Sequence, residues 1–418
     1  MKKVEKLFLK LFLFAVFLFK LPNFYILPIQ NAFFTSQALS RIIFILIFII
    51  KIVELFFLNK KIVQLRNQKI LVILIVLFFS FESLSILSAT NIISFLSRYK
   101  ELFIGFICFF DFYFYKKNIK KIIYVFLIST IINYLYQFFI LFWDNQIINI
   151  ISELIYQKHW QVVSRQLTQG KLQIDTYDEI IIPFLLLFIR KNKSLRSFFP
   201  LTLFLIIAFF SFLSNIRSRV LMLIIGFLGS LFLIKKVNKK IIFLLFLSLF
   251  FVSYISNFIS LNILKYSVLD RILLRSEEST ETVITRINQV KIAIDMGKSS
   301  LFGVGLGNYY DNLPASKKIE KYLYPKRQIN YIGAISASEF IHNNFGLILA
   351  ETGYISLVVF IIILFYFIRN DLVYLKIGNN YQKAFVISFW TLFAFGLFNP
   401  VIPGSYNVLF WGIRGILL

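Results

Sequence analysis

Cysteine is nearly absent from this sequence: Cys108 is the single thiol, which excludes an intramolecular disulfide and a thiolate metal centre. Histidine is almost as scarce, with His159 and His342 the only two, and no His, Asp and Glu spacing suggests a metal site. No serine is paired with a base in a recognisable nucleophile pattern. Acidic residues number 20 against 45 lysines and arginines, and charged residues make up only 16% of the 418 positions. A soluble surface usually draws on roughly a quarter of the chain for charge. What is abundant instead is apolar: 59% hydrophobic residues, 53 of them phenylalanine, with a mean hydropathy of +0.78. The solvent for most of this chain is lipid.

A net charge of +25 invites a nucleic-acid reading, but the basic residues come in short clusters between apolar runs. They form no continuous basic face, and no groove-reading motif accompanies them, so a nucleic-acid partner is not expected. The clusters mark the turns of a polytopic membrane protein. With about 20 apolar residues needed per crossing, about twelve spans are predicted. They fall near 7–27, 37–58, 69–89, 92–115, 121–142, 179–190, 198–214, 218–235, 240–262, 341–369, 382–399 and 403–418. The start resembles a signal peptide, but Lys20, Leu21, Pro22 and Asn23 offer no small-x-small cleavage pattern, so a retained first span is expected.

Charge placement tests the count. Lys2/Lys3/Lys6, Lys60/Lys61/Arg66/Lys69, Lys116/Lys117/Lys120/Lys121, Arg190/Lys191/Lys193/Arg196, Lys235/Lys236/Lys239/Lys240 and Arg369/Lys376/Lys383 all fall on one side if the N-terminus is cytoplasmic. The expected fold is therefore all-α: spans one to nine over 1–262 with a smaller outer loop at 143–178, a large outer loop at 263–340, and the last three spans over 341–418. Both termini are then cytoplasmic. Glu54, Glu82 and Asp111 lie within spans, where ionisable groups are costly. Lys51 is positioned to neutralise Glu54 and Lys116 to meet Asp111, whereas Glu82 has no evident partner.

The large outer loop carries a helical repeat of Val283, Ile284, Ile287, Val290 and Ile294, the pattern of a helix lying on the membrane surface or over a cavity. Ser336 and Glu339 fit a capping box that would start the tenth span and put His342 in its second turn. An interfacial histidine with no chemical task fits the same position. Gly346 and Gly353 follow on about the same helix face, open to close approach by backbone or ligand. Arginines accumulate on this outer face against the usual rule: Arg217, Arg219, Arg271, Arg275 and Arg286. Guanidinium grips phosphate bidentately, whether on a diphosphate ligand or on lipid headgroups. Between these lies Leu301-Phe302-Gly303-Val304-Gly305-Leu306-Gly307-Asn308-Tyr309. Asn308 stands where a dinucleotide fingerprint needs its third glycine, so a tight turn or a close ligand approach is expected instead.

Taken in order, three stretches resemble the family of O-antigen ligases and O-antigen polymerases. Ser218-Arg219 is similar to the family's Ser-Arg motif at the start of a span. Arg286 through Asn308-Tyr309 is similar to its Arg helix and Gly-x-Gly-x-Gly turn, and Ile341-His342-Asn343-Asn344 through Ala350-Glu351-Thr352-Gly353 to its His-Asn and Glu-x-Gly helix. Ser300 stands where the family often has proline, and Val220 where a small residue commonly follows the Ser-Arg pair.

The resemblance implies glycan transfer from an undecaprenyl-diphosphate-linked donor to a sugar hydroxyl on the periplasmic face of the bacterial inner membrane, without cofactor or metal. Arg219 and Arg286 are then expected on the diphosphate and His342 on the acceptor hydroxyl. Arg217, Gly303, Gly305, Gly307, Asn308, Tyr309, Asn343 and Glu351 are expected to line the substrate site. A polymerase, with a chain-length regulator and a flippase as pathway partners, is the first expectation; a ligase acting on lipid A-core is the second. A transporter would instead carry polar groups along a central path and an internal repeat, and neither is visible.

Overall fold

The computed structural model describes residues 2–21, 35–57, 69–142, 177–191, 198–214, 216–233, 239–259, 261, 277–312, 341–399 and 405–418. Among these it is all-α, with α1 (Lys2–Lys20), α2 (Ser36–Phe57), α3 (Lys69–Leu84), α4 (Ile92–Phe114), α5 (Ile119–Phe142), α6 (Ile182–Lys191) and α7 (Phe198–Leu213). There follow α8 (Arg217–Leu233), α9 (Lys239–Ile259), α10 (Glu277–Ser299), α11 (Asn344–Ile377), α12 (Asn380–Gly396) and α13 (Ser405–Leu417). A helix therefore stands at each of the expected span positions, and α10 lies within the stretch expected to form the large outer loop. Ser36–Glu54, Lys69–Ser88, Lys116–Phe138 and Asn344–Ile377 are long and apolar enough to cross a membrane; Phe198–Leu213 and Leu245–Ile259 are apolar but shorter.

Local chemistry sets the boundaries. Asn379 and Gln382 form a reciprocal capping box at the start of α12, and Asn91 caps α4 through Ser94 N–H. The packing is close where glycines allow it: Gly412 and Gly415 of α13 bring that helix against Phe112 and the Phe109 carbonyl of α4, and Gly105 of α4 takes the Asn407 side chain. Large aromatics fill the interior, among them Phe78, Phe109, Phe360 and Trp411, each almost fully buried.

Two expectations are corrected. The capping pair Ser336/Glu339 lies outside the described residues, and α11 begins only at Asn344, capped by Asn343, whose side chain accepts the Gly346 N–H. His342 thus precedes the helix instead of sitting in its second turn, because the shorter cap at Asn343 satisfies the first amides. Asp111 does not reach Lys116: its carboxylate is buried without a hydrogen-bond partner, and the Lys116 ammonium lies over the Tyr113 ring at 4.3 Å. The apolar repeat of α10, expected to face a membrane surface or a cavity, is distinct from the helix's buried face. Ile287 and Ile294 are exposed, whereas Gln289, Ile292, Ala293 and Met296 are buried, and α11 supplies Leu347 and Ala350 to the same small core. The Glu54 expectation holds, with Lys51 Nζ 2.9 Å from its carboxylate.

Candidate active site

Four segments converge on one cavity of about 580 Å³. The start of α8 contributes Arg217, Ser218 and Leu221; α10 contributes Arg286, Ile287, Val290 and Lys291. His342 and Asn343 come from the turn before α11, and Leu397 and Phe398 from the end of α12. One part of the lining is cationic and hydrogen-bonding, the other aliphatic and aromatic. The exposed repeat of α10 has its place here, since Ile287 and Val290 form part of the apolar wall. Two helix N-termini, those of α8 and α11, also open at this cavity, and each contributes the positive end of its macrodipole.

His342 is held from two directions. Its backbone N–H donates to Gln289 Oε1 of α10 at 3.1 Å, and its ring is hydrogen-bonded by the Asn399 side chain. Next to it, Asn343 donates Nδ2 to the Leu397 carbonyl at 2.8 Å while its Oδ1 caps α11, which ties the end of α12 to the start of α11. Burial, reinforced by the nearby Arg286 charge and opposed by the hydrogen bond to Asn399, lowers the His342 pKa from its usual value to about 4. The imidazole is therefore neutral at physiological pH, the form able to accept a proton.

Arg219 is not brought to this cavity. Its Nε donates to Glu179 Oε1 at 2.6 Å, both side chains being buried, and Ser211 Oγ donates to the same oxygen at 2.7 Å. The helical periodicity explains this: two residues beyond Arg217, the side chain points to a different side of α8. Arg271 and Arg275 lie outside the described residues.

The glycine turn and Glu351 are likewise away from the cavity, where they form a clasp. Gly303, Gly305 and Gly307 all take positive φ, at 68°, 95° and 71°, so the tight turn expected of them is present. At Gly353 (φ 82°) α11 kinks, which frees carbonyls that a straight helix would use internally. Val304 N–H donates to the Ala350 carbonyl at 2.8 Å and Gly305 N–H to that of Glu351 at 2.9 Å. The Glu351 carboxylate accepts the backbone amides of Gly307 and Tyr309. Asn308 faces the other way and is bonded to Asn91 N–H at 2.6 Å and to Thr90 Oγ1 at 3.1 Å. These residues, expected to line the substrate site, instead fasten α10 to α11 and to the turn between α3 and α4. Glu82, without an evident partner in the sequence, accepts a hydrogen bond from Thr352 Oγ1 at 3.0 Å on the far side of the same kink.

Sequence reading overlooked Asn399, Gln289 and Glu179. Asn399 precedes Pro400 at the end of a span and looks like a helix stop; only the fold brings it to His342.

Residues 201–361 match the family model described as O-antigen ligase. No curated protein matches the chain. The matched stretch holds Arg217, Ser218, α10, the glycine turn, His342 and Glu351. The match thus covers most of the cavity lining and the glycine turn with Glu351, and it supports assignment to the O-antigen ligase/polymerase family.

Proposed function

We propose that this protein transfers a glycan from an undecaprenyl-diphosphate-linked donor to a sugar hydroxyl, on the periplasmic face of the bacterial inner membrane. The observation that carries the reading is the divided lining of the cavity: Arg217, Arg286, Lys291, His342 and Asn343 beside Leu221, Ile287, Val290, Leu397 and Phe398. A polyprenyl diphosphate has the same division, with a polyanion joined directly to an isoprenoid tail. Arg217 and Arg286 bind the diphosphate, aided by the two helix N-termini, and stabilise the charge that grows on it as the glycosyl bond breaks. The acceptor hydroxyl forms its new bond to the anomeric carbon and gives its proton to neutral His342, while the lipid diphosphate departs with the bonding electron pair. General-base help of this kind is worth about 10²–10⁴-fold. Arg219 assists indirectly, by anchoring the start of α8 to Glu179.

The same proposal includes twelve spans with both termini cytoplasmic, an outer loop over 263–340 that covers the sugar, and a chain-length regulator and a flippase as partners. Loss of transfer in reconstituted membranes on substituting either His342 or Arg286 by alanine is expected; full activity in both variants would refute the assignment. Polymerase is the first reading and ligase the second, both being transfers from the same lipid-linked donor. A deletion strain separates them: core capped by single repeats marks a lost polymerase, and lipid-linked polymer beside bare core marks a lost ligase.

A further inference from the structure

Asn399 has two bonding ends, and they meet two different residues of the cavity wall. Its Nδ2 donates to Ser218 Oγ at 2.7 Å. With Nδ2 turned to Ser218, and with the Asn399 contact favouring the protonated ring, the end that meets the imidazole is Oδ1, an acceptor. On the ring, Nδ1 is buried without a hydrogen-bond partner, so the contact with Asn399 is made through Nε2. A neutral imidazole carries one proton; beside a carbonyl oxygen it belongs on Nε2. Nδ1 then keeps its lone pair, a buried acceptor with nothing to accept.

We propose that Asn399 is a positioning residue that fixes His342 as the Nε2–H tautomer, with Ser218 orienting the Asn399 amide, so that Nδ1 is the atom that receives the acceptor's proton. The inference rests on the glycan-transfer reading for its consequence but not for its geometry. The logic is that of any base oriented by a third group: turning the ring or exchanging its tautomer removes the lone pair from the reacting proton while leaving substrate binding intact. The orphaned Nδ1 supports it independently, because a buried acceptor left unsatisfied is costly and a substrate hydroxyl supplies the missing donor. The arrangement also joins the three segments that must stay in register, since Asn399 follows α12, Ser218 opens α8 and His342 precedes α11. Other charged groups near the ring are Arg286 and Lys291 of α10 and Arg217 of α8, all on the same cavity. None of them accepts a proton from Nε2, which leaves that task to the Asn399 carbonyl.

The scarcity of histidine makes the test direct. In a His159→Gln background, ¹⁵N-imidazole labelling of the full chain in lipid bilayers reports His342 alone. The expected spectrum is one neutral tautomer protonated at Nε2, replaced by a tautomer mixture in Asn399→Leu. Asn399→Asp keeps an acceptor and adds negative charge, so it retains the tautomer and moves protonation of the ring to higher pH. In transfer assays with a polyprenyl-diphosphate-linked glycan, Asn399→Leu lowers kcat on the order of 10²-fold with KM for the donor nearly unchanged. Asn399→Asp recovers much of that rate, with its acid limb displaced upward. Ser218→Ala gives a weaker form of the Leu phenotype. An unchanged spectrum in Asn399→Leu overturns the proposal, as does an unchanged kcat. The spectrum is read without any turnover, so a failure of the glycan-transfer reading leaves it standing as a separate result.

Discussion

Arg219 Nε and Glu179 Oε1 stand 2.6 Å apart in a buried ion pair, while Arg217 and Ser218, the residues just before Arg219, line the cavity. Glu179 sits beside Asp178, which takes Lys20 Nζ at 2.7 Å and Thr130 Oγ1 at 2.8 Å. One short turn thus gathers α1, α5, α7 and α8 around two buried charge pairs. Removing one member of such a pair leaves its partner charged and unsolvated, at about 3–5 kcal/mol. Glu179→Gln is therefore expected to lower the unfolding temperature in detergent strongly, and Arg219→Gln likewise. Arg286→Gln, at the cavity, is expected to weaken donor binding with a much smaller effect on unfolding. Equal stability losses in all three variants would contradict this division of roles.

The clasp predicts a different phenotype. Glu351→Ala leaves the Gly307 and Tyr309 amides without their acceptor, and each buried donor so stranded costs about 1–3 kcal/mol. Gly353→Ala needs a Cβ where the Leu301 carbonyl oxygen stands, at a φ that L side chains rarely adopt. Both variants should speed amide hydrogen exchange over 300–312, read by mass spectrometry, before they alter affinity for the donor. Donor affinity that falls while exchange is unchanged would return Glu351 to the substrate.

Much of this was legible in the sequence because hydropathy and charge clustering are properties of long segments. The positions of the long apolar helices, the helix over Glu277–Ser299 and the turn at Gly303–Gly307 all follow from such patterns. Individual roles were less legible. Arg217 and Arg219 are alike in composition, and only the rotation of α8 decides which one meets the cavity. Ile287 and Val290 read as a face for a membrane surface or a cavity, and they wall a cavity; an apolar repeat alone does not choose between the two. Glu179 and Asn399 meet partners 40 and 57 residues away, and no local spacing encodes such a pairing.

At the other end of α11, Asp371 receives both terminal nitrogens of Arg414 at 2.7 Å and Trp390 Nε1 at 2.7 Å. The guanidinium stacks over the Phe389 ring at 3.4 Å. This brace joins α11, α12 and α13, and its residues are not among those that line the cavity. Asp371→Asn should cost about 3–5 kcal/mol by leaving Arg414 unpaired. The double change Asp371→Leu/Arg414→Met, which removes both charges together, should cost less. Thermal unfolding of the two variants checks the order, and a double variant weaker than the single one would show that the pair itself stabilises the bundle.

The acid behaviour of His342 separates activity from stability. With its pKa lowered to about 4 by burial and Arg286, the imidazole stays a competent base well below the usual histidine range, so transfer should persist to about pH 5 and fall only as pH approaches 4. The sign for stability is that of any group whose folded pKa is depressed. Unfolded, the ring titrates at about 6.5, so between 6.5 and 4 the unfolded chain takes up a proton that the folded chain refuses. The contribution of this group is complete above about pH 6.5 and is progressively lost on acidification towards 4. His342→Asn removes that loss, so the unfolding temperature of the variant should decline less steeply than that of the parent across this window. Parallel declines, together with an activity limb near 6.5, would mean that the ring is solvated as an ordinary histidine and that the wall built by Gln289, Asn399 and Arg286 does not enclose it.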